Sequence, residues 1–446
     1  MDSKVNTVKS YLSPKTKEQH DFLSGIPFEK KEPLQVHIVE KGIVIPYDST
    51  ITPPAGGVIN NNELDSFSIS SFYNPIFHDF SIRTGNIPVD IGKVECVDDE
   101  IIYIGDVDSF FGHFLTNSLT RLWILFNPEF LNYKVCYIGK DPSSSFIEAF
   151  YLFGIKKENL VYINKPTMFS KVIIPEPSYR YWDYWHMDFK RTFDKIRSNV
   201  QKKYNYPKIY FSRSTYFGAS GTFGEIPIEK IFKKNGFRII HPDSYTFSEK
   251  IAMLSNCKVL AGLSGTGMHN ALFCNDNVTC YILNRSPCII PVQIQIDQMK
   301  KINSYYIDAY LDLLPTLDCA FPYLVGLNNE LKRFFEDNSM RFSLEAFSKD
   351  LPNSLYNYMY YWNKQVISSN LNYYIVNKYS PNVNMLDIAK EANSALANYL
   401  PIKQKSKKEK FFQKLYCLIF YLPRKIVPKK IKKNIRCFLL NRFFNK

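Results

Sequence analysis

The chain has 446 residues, an apolar fraction of 45% and a formal net charge of +14. That length exceeds one ordinary core and points to two or three domains, while the apolar fraction is that of a water-soluble globular protein. The charge is unevenly placed: residues 401–446 hold 15 Lys and Arg against one acid, Glu409, and the remaining 41 basic and 41 acidic residues cancel, which argues against the basic folded surface of a nucleic-acid-binding enzyme. Nine cysteines lie scattered with no C-x-x-C and no paired zinc spacing, a pattern that reads as reduced thiols in a cytosolic protein. The first ten residues lack the apolar core of a signal peptide. No run reaches the roughly 20 apolar residues of a membrane-spanning helix.

In chain order, residues 1–34 form a polar N-terminal extension. Short β-like runs, Val36-His-Ile-Val and Gly42-Ile-Val-Ile-Pro, alternate with turns up to about Ser70. Asp98-Asp-Glu-Ile-Ile-Tyr-Ile-Gly105 is a buried strand, and a helix follows through about Phe126. Tyr133–Gly139, Asn159–Ile163 and Lys171–Pro175 are further strands, with a helix from Ser143 to Phe153. After the aromatic loop Tyr179-Arg-Tyr-Trp-Asp-Tyr-Trp185, a linking helix occupies 187–205 and separates this unit (35–186) from a second (206–320). There Lys208-Ile-Tyr-Phe-Ser, Phe237-Arg-Ile-Ile-His, Lys258-Val-Leu-Ala-Gly and Thr279-Cys-Tyr-Ile-Leu alternate with helical segments. Such alternation indicates a parallel sheet covered on both faces. Between the last two strands, Gly262-Leu-Ser-Gly-Thr-Gly-Met-His-Asn-Ala-Leu-Phe273 places small residues at the start of an apolar helix. A Gly-rich turn of this kind offers backbone N–H groups and the positive end of a helix dipole to a diphosphate, with Arg213 at another strand end as a forked cation. Residues 321–400 read as helical.

The tail, 401–446, has its own pattern. Phe411, Leu415, Leu418 and Leu422 share one helical face before Pro423 and Pro428. Ile431, Ile435, Phe438, Leu439 and Phe443 form a second, opposed by Lys430, Lys433, Arg436 and Arg442. Cationic helices with Phe and Leu opposite the charge lie in the headgroup region of anionic bilayers. A partner protein and a solvated or RNA-binding tail are the other readings.

Two facing Rossmann-like units joined by a helix make the architecture called GT-B, and several motifs carry a family resemblance. Phe111-Gly-His-Phe-Leu-Thr-Asn-Ser-Leu-Thr-Arg-Leu-Trp resembles the N-terminal signature of glycosyltransferase family 61, whose bacterial members are described as capsular polysaccharide biosynthesis proteins. Ile209-Tyr-Phe-Ser-Arg-Ser, Gly224-Glu225, Gly236-Phe with Phe247-Ser-Glu-Lys-Ile, and Ser264-Gly-Thr-Gly-Met-His-Asn-Ala-Leu-Phe resemble its later elements in order. The chain departs from the family pattern at Ser264, where many members have His, at Gly224, where Asn is usual, and at Lys250, where Gln is common. The resemblance implies an inverting glycosyltransferase that uses a nucleotide-sugar, UDP-linked in known members; the Gly-rich turn, with its helix dipole, and an arginine in the metal's place point to no metal or other cofactor.

Inverting transfer needs a base for the acceptor hydroxyl and cations or dipoles for the leaving diphosphate. His113 is the candidate base because imidazole titrates near neutrality; Asp106 and Asp108 are rivals from the same loop. Those two also spell Asp-x-Asp, the metal signature of the other major glycosyltransferase fold. Arg213 is assigned to the diphosphate, with a plain surface arginine as the alternative. Ser264, Gly265, Thr266 and Gly267 supply close backbone approach, unless the turn serves packing alone. His269 and Asn270 reach phosphate or ribose, or cap the helix. Glu225 holds ribose hydroxyls, or complements a helix dipole. Arg121, about two helical turns beyond His113, orients substrate or pairs with Asp106 or Asp108. Trp182 and Trp185 stack on an acceptor sugar or pack the cleft.

The resulting expectation is a cytoplasmic enzyme, peripheral at the inner face of the membrane through 401–446. It adds a sugar from a UDP-sugar to a surface polysaccharide acceptor, a lipid link on which would account for the tail, and it binds no nucleic acid. Two other classes stand beside it: a non-catalytic scaffold of a polysaccharide assembly complex, and an NAD(P) oxidoreductase. The last is disfavoured by the G-x-x-G-x-G order of the turn.

Overall fold

The computed structural model describes residues 10–48, 55–61, 63–68, 94–107, 110–139, 146–216, 221–311, 313–314 and 322–368. Asp108, the helical reading near 387–400 and the tail 401–446 lie outside these residues. The chain divides into two compact units. One spans 1–316 and 322–351 and carries both sheets; the described part of the other is 352–368, the end of a helix over Leu344–Ser368.

The first sheet contains β1 (Val36–Glu40), β2 (Ile43–Asp48), β3 (Ala55–Asn60), β4 (Glu63–Leu64), β5 (Glu95–Val107), β6 (Lys134–Gly139), β7 (Leu160–Tyr162) and β8 (Thr167–Pro175). Its order is β4-β3-β2-β8-β5-β6-β7, with β1 also on β8. The β8-β5-β6-β7 portion is parallel, whereas β1 to β4 add antiparallel strands. The sheet is therefore mixed rather than a plain Rossmann sheet. A hairpin of β9 (Tyr179–Arg180) and β10 (Tyr184–Trp185) leads into the linking helix.

The second sheet is wholly parallel. Its strands are β11 (Lys208–Phe211), β13 (Arg238–Ile240), β14 (Val259–Leu263), β15 (Thr279–Asn284) and β16 (Asn303–Asp308), in the order β13-β11-β14-β15-β16. A small parallel pair, β12 (Thr222–Phe223) with β17 (Tyr323–Leu324), lies apart from it. Successive residues of β11 alternate between two apolar clusters: Ile209 and Phe211 face one, Tyr210 the other. Cys280, Tyr281, Ile282 and Leu283 of β15 alternate the same way, as a strand covered on both faces must. The four strands expected from the sequence are present; β16 is a fifth that extends the sheet.

Among the helices, α1 (Pro14–Ser24), α2 (Phe111–His113) and α3 (Ile147–Phe153) precede the linking helix α4 (Met187–Ser198). The second sheet is flanked by α5 (Glu225–Lys234), α6 (Phe247–Leu254), α7 (Pro291–Lys300) and α8 (Asn329–Asp337). In α4, Phe189, Thr192, Phe193 and Ile196 make a buried stripe at helical spacing. The helix ends at Ser198, short of the expected 205. In α6 the Thr246 hydroxyl and the Glu249 carboxylate form a reciprocal capping box. The buried Lys300 ammonium lies 3.2 Å from Asp194 of α4 and 3.0 Å from Asp276, fixing α4 to the second sheet's connections. One apolar cluster takes in Ile102 and Ile104 of β5, Phe150 of α3, Phe189 and Phe193 of α4, and Ile209 and Leu260 of the second sheet.

The N-terminal extension is not merely polar. Tyr11 bridges to Ile307 of β16, the Ser13 N–H donates to the Asp308 carboxylate at 2.8 Å, and Leu23 and Phe28 are buried in the same large cluster. The helix expected after β5 is broken. Three α-helical residues pass into a π-helical stretch at Phe114–Ser118 and then a 3-10 stretch at Leu122–Phe126. The hydroxyls of Thr116 and Thr120 donate to the carbonyls of Gly112 and Asn117 at 3.1 and 2.8 Å. Side-chain donors that compete for helix carbonyls distort the regular ladder.

Candidate functional site

The strand order of the second sheet reverses between β11 and β14: from β11 the chain steps outward to β13, then crosses back to β14. Ligands of open α/β sheets bind beyond the carboxyl ends of the strands at such a switch point. Beyond β11 come Ser212 and Arg213; beyond β14 come Ser264 to Gly267.

The Ser212–Ser214 turn is held by α5. Glu229 accepts the hydroxyls of Ser212 and Ser214 at 2.7 and 2.8 Å. Glu225 accepts the Arg213 N–H on both carboxylate oxygens, at 3.1 and 3.0 Å, and the Tyr210 hydroxyl at 3.0 Å. Burial pushes the Glu225 carboxyl up to about 7, against the opposing pull of those two donors. Glu225 is thus spent on the turn and is 1% exposed, a placement that leaves its carboxylate no open face for ribose. The Arg213 guanidinium is left half-buried with its Cζ 5.0 Å from the Tyr216 ring centroid, and its Nε has no acceptor among the described residues.

The Gly-rich turn is built around Gly265, whose φ of +134° disfavours any side chain. A Cβ there would lie 2.9 Å from Nη2 of Arg285. Ser264 is a staple, its N–H donating to Leu283 at 2.7 Å and its hydroxyl accepting from the Arg285 N–H at 3.3 Å. Among the described residues the N–H groups of Gly265, Thr266 and Gly267 have no acceptor, and Thr266 is exposed. The apolar helix expected next is a six-residue 3-10 stretch, Met268–Phe273. So short an element has little dipole, and the positive field at this turn comes from free N–H groups and arginines instead.

Arg285 was missed from the sequence, although its place directly after a buried strand, beside a glycine turn, is the same signal that singled out Arg213. Its guanidinium lies 4.4 Å from the Tyr323 ring centroid, and its Nη1 donates to the Thr222 hydroxyl at 3.4 Å.

The first lobe reaches this turn through α2. A Cβ built on Gly112 would lie 2.4 Å from Thr266 Cγ2 and 3.8 Å from His269 Nδ1, so any side chain there would force Thr266 to shift. His113, the next residue, is exposed. His269 is 4% exposed, with no hydrogen-bond partner for either ring nitrogen among the described residues. Burial first, and the nearby His113 second, push it down to about 3, so its imidazole is neutral. Asn270 is buried and donates to the Gly267 carbonyl at 2.9 Å, which makes it a turn cap.

Other expected residues fall elsewhere. Asp106 is 3% exposed in β5. Arg121 is 1% exposed and donates to the carbonyls of Pro175 and Phe67 at 2.9 and 2.8 Å. It ties the first sheet together in place of orienting a substrate, and burial pushes it down to about 10. Trp185 is buried in β10, and the Trp182 backbone N–H donates to the Gln295 side-chain oxygen at 3.3 Å. Among the described residues no group of three His, Cys, Asp or Glu side chains is placed to hold a metal ion, and no helix is long and apolar enough to cross a membrane.

A comparison with curated proteins finds no match. Residues 111–282, from the first residue of α2 into β15, match the family model described as Glycosyltransferase 61, and that stretch contains His113, the Ser-Arg turn and the Gly-rich turn together. The match supports assigning residues 111–282 to glycosyltransferase family 61, and a domain of that family indicates a glycosyltransferase enzyme.

Proposed function

We propose that the protein is an inverting transferase of GT-B type that moves a sugar from a nucleoside-diphosphate sugar, UDP-linked by preference, to the hydroxyl of a surface-polysaccharide acceptor. The observation that carries this reading is the approach of Gly112 to Thr266, which brings the exposed His113 of one lobe to the anion-ready turn of the other. His113 takes the proton of the acceptor hydroxyl as its oxygen bonds to the anomeric carbon. The bond from that carbon to the diphosphate oxygen breaks, and the diphosphate leaves with the electron pair. Its charge is received by Arg213, Arg285 and the N–H groups of Gly265, Thr266 and Gly267, as preorganised donors stabilise a leaving group. The neutral His269 contributes an N–H donor. Asp106 ranks below His113 as base because it is buried in the strand.

The reading includes no metal requirement, the arginines standing where a cation would, and it places the enzyme at an anionic membrane surface through residues 401–446. Calorimetry of UDP, CMP, GDP and NAD against the full chain, with magnesium and with EDTA, tests it. UDP binding that survives EDTA is expected. Binding of NAD alone, or of no nucleotide, overturns it.

A further inference from the structure

Phe110 precedes α2 and is 66% exposed, the highest value for any large apolar side chain among the described residues. A phenyl ring so largely exposed forgoes the transfer free energy that burial would return. The ring stands beside His113, with centroids 6.3 Å apart and planes at 73°.

Its backbone is well fixed. The Phe110 carbonyl accepts the Phe114 N–H at 2.8 Å, Gly112 abuts Thr266, and Phe114 stacks on Phe146 at 4.5 Å. The exposed ring is therefore mounted on an anchored turn, two residues before the glycine that meets Thr266 and beside the candidate base.

We infer that Phe110 is the acceptor platform: a saccharide ring lays its apolar C–H face on the phenyl ring and so brings a hydroxyl to His113. Pyranose rings are amphipathic, with axial C–H groups on a face and hydroxyls at the rim. An exposed aromatic with a polar group at its edge matches both features. The tryptophans singled out from the sequence do not meet that need, because Trp185 is buried and the Trp182 ring packs against the large apolar cluster and edge-on to Tyr181. This inference rests on the glycosyltransferase reading above and deepens it by naming what holds the acceptor.

The test uses the full chain saturated with UDP and a panel of methyl pento- and hexopyranosides, read by saturation-transfer NMR. At least one panel member is expected to receive saturation at its ring C–H protons. Phe110→Ala should weaken that binding by about tenfold, Phe110→Trp should retain it, and UDP affinity should be equal in all three. Phe22→Ala, which removes a 58% exposed ring from α1, should change neither. Failure of the wild-type protein to bind UDP defeats the parent reading. If UDP binds but no saccharide does, or if Phe110→Ala binds the saccharide as the wild type does, the platform is overturned alone. A parallel loss of UDP affinity in Phe110→Ala also overturns it, because the residue would then shape the donor turn.

Discussion

At the residue scale, the proposed roles of His113 and Arg213 separate proton transfer from charge stabilisation. His113→Ala should lower kcat by about 10² to 10⁴ while UDP affinity holds, since a general base contributes to the transition state and not to donor binding. Arg213→Ala should instead weaken UDP binding by about 10- to 100-fold, the worth of a charge-assisted hydrogen bond; titration calorimetry on both variants distinguishes the roles. Glu225 brings a pH dependence. Its folded value of about 7 is above the ordinary 4.5, through burial, so the folded protein retains a proton that the unfolded chain has lost. Stability from this group is fully present below about pH 4.5, declines as pH rises through about 7, and is flat above. Urea melts at pH 5 and pH 8 should show the wild type losing on the order of 3 kcal/mol more than Glu225→Gln over that interval. An equal loss in both would assign the slope to other groups.

The element scale shows what the sequence made legible and what it left hidden. The four strands expected in the second sheet were readable because β11, β14 and β15 are buried on both faces, and such strands are continuous apolar runs. The helix after β5 was misjudged because periodicity reports which residues face the core, not whether Thr116 and Thr120 will turn their hydroxyls on the helix carbonyls. Arg213 was legible as a strand-end cation. Glu225 was legible as important but wrongly oriented, since nothing in its spacing says that its oxygens turn back to the Arg213 N–H. Arg121 failed for a similar reason: a periodic position next to a signature gives a face, and this face is interior. Gly224 was marked as a departure from the family's usual Asn, and the structure gives a reason. At φ +89° a Cβ would lie 1.9 Å from the Val325 carbonyl oxygen, beside the β12–β17 pair. Asn tolerates left-handed backbone but still carries that Cβ. Gly224→Ala should therefore destabilise by about 2–4 kcal/mol in chemical denaturation. A change below 0.5 kcal/mol would mean that the 325 segment yields freely.

At the scale of the whole molecule, the charge of the chain is the charge of its last 46 residues. Removing 402–446 leaves a body whose Lys and Arg balance its Asp and Glu. The full chain should float with anionic vesicles at low salt and be released as ionic strength rises, since each basic residue near such a surface contributes about 1 kcal/mol. The truncated chain should stay with the soluble fraction in both conditions. Equal flotation of the two would place membrane affinity elsewhere in the protein.

The apolar cluster that runs from β5 through α4 into the second sheet has a consequence for how the enzyme comes apart. A wall of side chains shared by two sheets gives neither sheet a complete interior. Phe189 and Phe193 on α4 contact partners from both sides, Tyr179 and Phe273 among them, and Lys300 secures the same helix. Denaturation of residues 10–351 should accordingly be a single cooperative event, with far-UV and aromatic signals falling together. The segment 206–320 expressed by itself should be insoluble or molten, and two separable transitions would show that each sheet owns a sufficient core. The two sheets of this transferase are then joined as co-owners of one interior, and the placement of the proposed base against the proposed donor turn is inherited from folding itself.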